Sequence, residues 1–245
     1  DRCDFRCVYC MAEEMTFLPR ADILSLEELE QIAKAFVSLG VHKIRLTGGE
    51  PLVRHNISSL VKNIGQLDGL RELTLTTNGS QLKKYAGHLL ESGVKRINVS
   101  LDSLNEARFK KITRTGNLQQ VLTGIDSAIA AGITNIKLNA VILKGYNDDE
   151  ITDLVNYAVN NELDISFIEE MPLGSVDDHN RADCQMSSEQ ILEYIEQDFD
   201  LVDSNFVTSG PSRYKRIANS KTNLGFISPN SHSFCDTCNR VRLTA

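Results

Sequence analysis

Three cysteines stand near the start of the chain at the spacing C-x3-C-x2-C. They are Cys3, Cys7 and Cys10, and an aromatic residue, Tyr9, directly precedes the third. Three thiolates so close in sequence can bind one inorganic centre at little cost in loop closure. Zinc in a structural site takes four ligands, whereas an iron–sulfur cube held by three thiolates keeps one iron open for a cofactor or substrate. The spacing therefore favours a [4Fe-4S] cluster with an open corner over a zinc knuckle or a disulfide remnant.

A second pair, Cys235 and Cys238, forms C-x2-C near the other end of the sequence, and Arg240 and Arg242 follow it closely. Alone, this spacing is typical of a zinc knuckle, a redox pair or part of a second cluster. Two guanidinium groups beside a thiolate pair suit an anionic ligand that accepts hydrogen bonds. Cys184 has no ligand-type neighbour and is interpreted as an ordinary thiol.

Composition narrows the class of protein. The chain has 245 residues, 24% charged and 41% apolar, with a net charge of −7, which is typical of a folded globular protein and argues against a nucleic-acid or anionic-membrane coat. We therefore expect no nucleic-acid partner. We also expect no membrane span, because no apolar run approaches the ~20 residues needed to cross a bilayer. Grouped cysteines without an export signal predict a cytoplasmic location. The sequence starts just before a cluster cysteine and without Met, so we expect an internal fragment of a longer protein.

The elements that must position these residues alternate between strand and helix. A parallel sheet with right-handed crossovers is the expected result. Strands are predicted near 43–47, 72–76, 95–102, 135–143 and 164–171, and helices near 25–39, 55–64, 81–92, 103–131 with a break at Gly116, 148–160 and 187–196.

Polar residues cluster where these strands end, which is where barrel enzymes place their chemistry. We therefore predict an α/β fold, a partial (β/α)6 TIM-like barrel over residues 1–172 whose first strand lies ahead of Cys3. Residues 173–245 are predicted to form a C-terminal α+β extension. Within it, residues 206–228 are interpreted as short strands and turns without a further β/α unit.

The motif G-G-E-P at 48–51 follows the first of these strands. Paired glycines allow backbone to approach a ligand closely, and Glu50 could accept a hydrogen bond from an ammonium group. Ser100 and Asp102 end a later strand; Ser100 could meet a carboxylate, and Asp102 is expected to cap or orient. An ordinary turn between strand and helix is the alternative for G-G-E-P taken alone.

Lys137 and Asn139 lie two apart on one strand and so share a face. If that face is the barrel interior, the ammonium group needs an anionic partner such as a substrate phosphate. An outward, solvated Lys137 is the alternative, and Arg45 has the same two options.

These motifs taken together resemble one family. The strings C-D-F-R-C-V-Y-C-M, K-I-R-L-T-G-G-E-P-L-V-R, L-T-T-N-G, R-I-N-V-S-L-D, K-L-N-A-V, F-I-E-E-M-P and F-C-D-T-C-N-R-V-R look like the MoaA family, the radical S-adenosylmethionine (SAM) GTP cyclases that open molybdenum cofactor biosynthesis. The resemblance covers the whole sequence. It implies a lyase, GTP 3′,8-cyclase, in which a radical generated by a cluster and SAM starts the reaction and no side chain is itself catalytic.

The resemblance also implies which residues bind what. Two [4Fe-4S] clusters and SAM are the implied cofactors, with guanine at the open iron of the second cluster. The implied contacts are Cys3, Cys7 and Cys10 to the first cluster; Cys235 and Cys238 to the second; Tyr9, Gly49, Ser100 and Met171 to SAM; and Arg45, Thr76, Lys137, Arg240 and Arg242 to GTP.

Three features of the family's pattern are missing from the sequence: a third C-terminal cluster cysteine, a Gly-Gly tail and a substrate-binding arginine ahead of Cys3. We therefore expect this fragment to hold the first cluster better than the second. The implied partners are a reductant, a downstream pyranopterin monophosphate synthase and a second copy in a homodimer. Two alternatives remain at this stage. A peptide-maturing radical SAM enzyme would carry more C-terminal cysteines, and a non-catalytic zinc-binding adaptor would leave G-G-E-P unexplained.

Overall fold

One sheet runs through the computed structural model, which describes residues 2–171, 180–208, 210–232 and 240–243. Its order is β1-β2-β3-β4-β5-β8-β7-β6, with parallel pairing from β1 to β8 and antiparallel pairing in β8-β7-β6. The strands are β1 (Lys43–Leu46), β2 (Glu72–Thr77), β3 (Val94–Ser100), β4 (Ile136–Ile142), β5 (Asp164–Glu169), β6 (Leu201–Asp203), β7 (Arg213–Ile217) and β8 (Asn223–Ile227).

Helices connect the parallel strands, as the alternating pattern predicts. They are α1 (Leu26–Ser38), α2 (Ile57–Gly65), α3 (Leu82–Glu91), α4 (Glu106–Thr113), α5 (Leu118–Ala130), α6 (Ile151–Asn160), α7 (Arg181–Cys184) and α8 (Ser188–Ile195). Ser25 caps the start of α1 through a capping box with Glu28, and Ser187 caps α8 through a capping box with Gln190. Each box satisfies backbone donors that the first helical turn leaves free.

The two faces of the sheet differ in chemistry. One face is apolar and packs under the helices, with Ile97, Leu138 and Phe167 fully buried in the main core. The alternate positions of the same strands carry polar side chains, among them Asn98 and Lys137, whose backbones are register partners on β3 and β4. This polar face is called the inner face below.

The inner face curves upon itself. Tyr214 on β7 lies three strands from β4, roughly 14 Å along a flat sheet, yet its hydroxyl oxygen is 3.3 Å from Lys137 Nζ. Arg45 on β1 also lies close enough to Tyr214 for the Tyr214 side chain to affect the pKa of Arg45. Only a sheet that bends around this face brings such strands together, and the predicted partial barrel is confirmed.

The sixth parallel strand of the described residues is β8, which pairs with β5 from Ile165↔Leu224 to Ile168↔Ile227. This segment was predicted to contain no further β/α unit, and that prediction is wrong. The hairpin of β6 and β7 lies between α8 and β8 and interrupts the sequence spacing of the repeat. The division of the chain at residue 172 stays a prediction. Among the described residues, no helix combines the length and apolar character that a bilayer crossing requires.

Candidate cluster and substrate site

Cys7 and Cys10 lie in one tight turn, and Cys3 lies near them. The amides of Cys10 and Met11 both donate to the carbonyl oxygen of Cys7, at 2.9 and 3.2 Å. Burial raises the pKa of the Cys7 thiol well above its ordinary value, and neighbouring Asp102, Cys10 and Cys3 raise it further. The pKa of Cys3 is raised by burial first and then by charges that include Cys10. The three thiols are therefore near neighbours, as binding to one centre requires.

The loop that carries these thiols is fastened to the end of α4. Val8 donates its amide to the carbonyl of Ile112 at 2.9 Å, and Arg6 donates its amide to Thr113 at 3.0 Å. Arg114, in the left-handed region at φ 59°, donates from Nη1 to the carbonyls of Arg6 (2.9 Å) and Met11 (3.2 Å). Sequence reasoning missed Arg114, because its partners lie about a hundred positions away.

Gly49 is the point where the β1 end meets the cysteine loop. A Cβ atom there would lie 2.4 Å from the Arg2 carbonyl oxygen and 2.9 Å from Cys3 Cβ. The next amide, of Glu50, donates to the same Arg2 oxygen at 2.8 Å. The predicted close approach of backbone at this motif therefore occurs, and its partner in the structure is the loop itself.

The Glu50 carboxylate is buried and fully engaged by the protein. Its Oε1 accepts from the Leu52 amide (2.9 Å) and the Thr77 hydroxyl (2.8 Å), and its Oε2 accepts from the Asn78 amide (2.6 Å). Burial raises its pKa to about 7 despite these bonds. Glu50 thus joins the ends of β1 and β2. The predicted acceptance from a ligand's ammonium group stays a prediction.

Asp4 links the loop to the end of β2. Its carboxylate oxygens accept from Asn78 Nδ2 and from the Ser80 hydroxyl, both at 2.6 Å, and its carbonyl accepts from the Thr115 hydroxyl at 2.6 Å. Asn78 also accepts from the Ser80 amide at Oδ1, at 2.9 Å. In the sequence, the signal for this contact is that a carboxylate, Asp4, directly follows the first cysteine.

Tyr9 is tied to the end of β3. Its hydroxyl donates to Asp102 Oδ2 at 2.7 Å, while Asp102 Oδ1 accepts from the Val141 amide at 2.8 Å. Burial raises the pKa of Asp102 to about 6. The expectation that Asp102 orients its surroundings is confirmed, and Tyr9 is what it orients.

The three N-terminal thiols could in principle bind either a single metal ion or a four-iron cluster. Within the described ranges, no three Cys, His, Asp or Glu side chains are arranged to hold one metal ion. A four-iron cube binds each thiolate at a separate corner and so holds its ligands further apart than a single ion does. Three soft thiols close enough to raise one another's pKa fit the cube.

Predicted ligand-binding residues also meet on the inner face. Thr76, Ser100 and Lys137 occupy strand positions in neighbouring registers of β2, β3 and β4. Buried side-chain oxygens of Thr76, Asn98 and Asn139 have no hydrogen-bond partner among the described residues. Buried polar atoms are rarely left unpaired, so this face is chemically suited to a polar ligand.

The inner face is rich in positive charge. Burial lowers the pKa of Arg45, and nearby Arg240 and Arg96 lower it further. Burial is also the main reason that the pKa of Lys137 is lowered, with Arg45 and Arg96 adding to it. Cations that repel one another in a partly enclosed space indicate a site for an anion. Lys137 therefore faces this space in preference to the solvated alternative, and Arg45, though exposed, lies on the same face.

The remaining predicted site residues are partly or fully exposed, or lie outside the described residues. Met171 follows β5 and is 38% exposed. Arg242 is exposed in the short described segment 240–243. Cys235 and Cys238 lie outside the described residues.

The fold has known relatives. Streptococcus suis SuiB bound to S-adenosylmethionine aligns with a TM-score of 0.66 at 19% identity, over 91% of this chain and 48% of that one. Methylornithine synthase (PylB) aligns with a TM-score of 0.61 at 16% identity, over 79% of this chain and 58% of that one. At such low identity the likeness establishes the fold alone.

Sequence comparison gives the family. Residues 1–158 match the Radical SAM superfamily, and residues 163–245 match Molybdenum Cofactor Synthesis C. Proteins named GTP 3′,8-cyclase are similar over all 245 residues, which is 74% of their own length: 61% identical in Pseudomonas fluorescens (strain Pf0-1) and 59% in Pseudomonas syringae pv. syringae (strain B728a). The chain therefore belongs to the radical SAM superfamily and, within it, to the GTP 3′,8-cyclase family. Membership of the superfamily supports a [4Fe-4S] cluster and SAM as cofactors.

Proposed function

We propose that this protein is a GTP 3′,8-cyclase. It converts GTP to (8S)-3′,8-cyclo-7,8-dihydroguanosine 5′-triphosphate in molybdenum cofactor biosynthesis. The observation that carries the proposal is the 61% identity over the whole chain to a protein of that name. The arrangement of thiols at one end of a basic inner face is consistent with it.

In this proposal Cys3, Cys7 and Cys10 hold the [4Fe-4S] cluster, and Tyr9, Gly49, Ser100 and Met171 line the SAM site. When bound, the cluster and SAM supply a carbon radical that can remove a hydrogen atom from the substrate. The chain's own task is to hold the thiol turn rigidly. The bonds from Val8, Arg6 and Arg114 support this, since each fixes the loop backbone beside the thiols. Met171, though partly exposed, borders the same end of the sheet.

GTP is proposed to bind along the inner face. Arg45, Lys137 and Arg240 would neutralise its phosphates, and Thr76 and Arg242 would add hydrogen bonds. Arg240 lowers the pKa of Arg45, and Arg45 lowers that of Lys137, which supports a shared anion. Fixing the phosphates and the ribose at once would place the reacting carbon atoms for cyclisation, which is where positioning contributes most to rate.

A second [4Fe-4S] cluster is part of the proposal. Cys235 and Cys238 would be two of its ligands, with guanine at its open iron. The match of the C-terminal part to Molybdenum Cofactor Synthesis C supports a role for this region in the same pathway. A reductant, transfer of product to pyranopterin monophosphate synthase, a homodimer and a cytoplasmic location complete the proposal, without nucleic-acid or membrane partners.

Cluster binding can be tested with two cysteine variants of the anaerobically purified full-length protein. Cys10→Ala is expected to lose the electron paramagnetic resonance signal of the reduced N-terminal cluster. Cys184→Ala, which removes a thiol that lies outside the turn, should retain it. Equal signals in the two variants would contradict the assignment.

Substrate binding can be tested with two lysine variants. Lys137→Ala should weaken GTP binding and slow formation of the cyclised product, because it removes an inner-face cation. Lys34→Ala is the control, since its side chain is 54% exposed and pairs with Glu30 on the surface of α1. If the wild-type protein with SAM and reductant leaves GTP unchanged, the proposed reaction is wrong.

A further inference from the structure

Tyr214 reaches Lys137 from the antiparallel part of the sheet. Its hydroxyl oxygen lies 3.3 Å from Lys137 Nζ, and the ammonium is 5.7 Å from the centre of its ring. The hydroxyl oxygen is therefore the part of Tyr214 that contacts the ammonium group. The hydroxyl is also 3.3 Å from the hydroxyl of Thr208.

Two small residues make this reach possible. Tyr214 is the register partner of Gly225 on β8, which in turn is the partner of Ser166 on β5. A Cβ atom at Gly225 would lie 2.2 Å from Ser166 Oγ and 3.0 Å from Tyr214 Cε1. The absence of a side chain at this position lets the ring extend across two strands toward β4.

Within the described part of the chain, Lys137 has no salt bridge, and Tyr214 is its hydrogen-bond partner. The register partner of Lys137 on β5, Asp164, accepts from the amide and Nδ2 of Asn223 at 2.9 and 3.0 Å. Burial alone would raise the pKa of Tyr214, but the Lys137 ammonium and hydrogen bonds from Thr208 and Ser212 outweigh it and leave the pKa lowered. The phenol thus stabilises a buried cation without cancelling its charge.

The pair borders a cavity of about 190 Å³, whose lining includes Arg96, Lys137, Thr208 and Tyr214. A carboxylate at the Tyr214 position would neutralise Lys137, and an apolar side chain would leave its ammonium unpartnered. A phenol keeps the lysine charged and fixes its direction, which is what recognition of a polyanion needs.

We propose that Tyr214 is a positioning residue that holds Lys137 toward the cavity and thereby sets affinity for the phosphate end of the nucleotide. The inference rests on the proposed function, because GTP is the ligand that Lys137 would meet. It adds a residue of β7 to a site that the proposed function builds from β1, β2, β4 and the segment 240–243.

The test compares Tyr214→Phe with Tyr157→Phe in anaerobically purified full-length protein. Loss of one hydrogen bond to a charged group predicts a KM for GTP raised by about tenfold with kcat little changed. The inhibition constant of guanosine, which has no phosphate, should not move. Tyr157 lies on α6, away from the inner face, and its variant should match the wild type. Gly225→Ala should reproduce the effect, because the added methyl displaces the ring.

The outcomes separate this inference from the function itself. If the wild type does not bind GTP, or Lys137→Ala binds it as the wild type does, the proposed function fails. If Lys137→Ala weakens GTP while Tyr214→Phe does not, only the role of Tyr214 is overturned. An equal loss for GTP and guanosine would likewise overturn it, since it would indicate a general structural effect. Should Tyr214→Phe melt early, Gly225→Ala is the second variant, and an unchanged KM for GTP there counts against the proposal.

Discussion

A methyl group added at Gly49 would strike the backbone of the cysteine loop. In Gly49→Ala the new Cβ would lie 2.4 Å from the Arg2 carbonyl oxygen and 2.8 Å from its carbon, and neither atom belongs to a flexible side chain. The loop must move, and the bond from the Glu50 amide to the Arg2 oxygen would be lost with it. Overpacking of this kind costs about 1–3 kcal/mol, and a lost hydrogen bond adds about 0.5–1.5 kcal/mol.

We therefore expect Gly49→Ala to lower the free energy of unfolding by roughly 2–4 kcal/mol and to reduce cluster loading. Gly87→Ala is the matched control. Gly87 lies in α3, where a new Cβ would have no heavy atom within 4 Å, and alanine favours a helix over glycine by about 1 kcal/mol. The measurements are chemical denaturation of the apoprotein and the iron content after anaerobic reconstitution. If Gly49→Ala matches Gly87→Ala in both, the contact between the β1 end and the loop is not what positions the thiols.

Two further substitutions test the buried contacts that hold the site in place. Because burial raises the pKa of Glu50 from 4.5 to about 7, the folded protein holds a proton that the unfolded chain releases, so the free energy of unfolding should fall as pH rises between those values. Glu50→Gln should remove that fall. It should also lower the free energy of unfolding by about 1–3 kcal/mol, because its side-chain amide would face the Asn78 amide donor. An unchanged pH slope in denaturation of the apoprotein would refute the assignment. Phe109→Ala should destabilise by about 3–5 kcal/mol, since Phe109 is 1% exposed and its ring meets Phe5 edge-on at 6.0 Å; a loss under about 1 kcal/mol would mean that the core collapses around the gap.

Much of the fold follows from local sequence pattern. The apolar spacing of α1 and its capping box, between Ser25 and Glu28, predict the helix within a residue of its observed start. Parallel strands alternate with helices at a regular interval from β1 to β5, so this part of the barrel was predicted as well. The interval is interrupted before β8, because the hairpin of β6 and β7 intervenes, and periodicity alone could not show that β8 pairs with β5.

In the candidate site, too, one part follows from local sequence and another part does not. Cys7 and Cys10 form their turn through bonds within a few residues and Cys3 is four positions before it, so the spacing was enough to predict that the three thiols lie close together. The inward orientation of Lys137 depended on which face of β4 the helices cover, and its partner Tyr214 lies 77 positions away.

The sequence by itself thus determined the thiol turn, the strand and helix pattern and the family, because each depends on residues close together in the chain or on motif identity. Tertiary structure alone decided the rest. Arg114 holds the loop from more than a hundred positions away, Gly225 makes room for a ring from another strand, and the inner face gathers its cations from separate elements. The physical reason is that hydrogen bonds, steric contacts and electrostatic repulsion act over a few ångströms of space, whereas sequence order records only distance along the backbone.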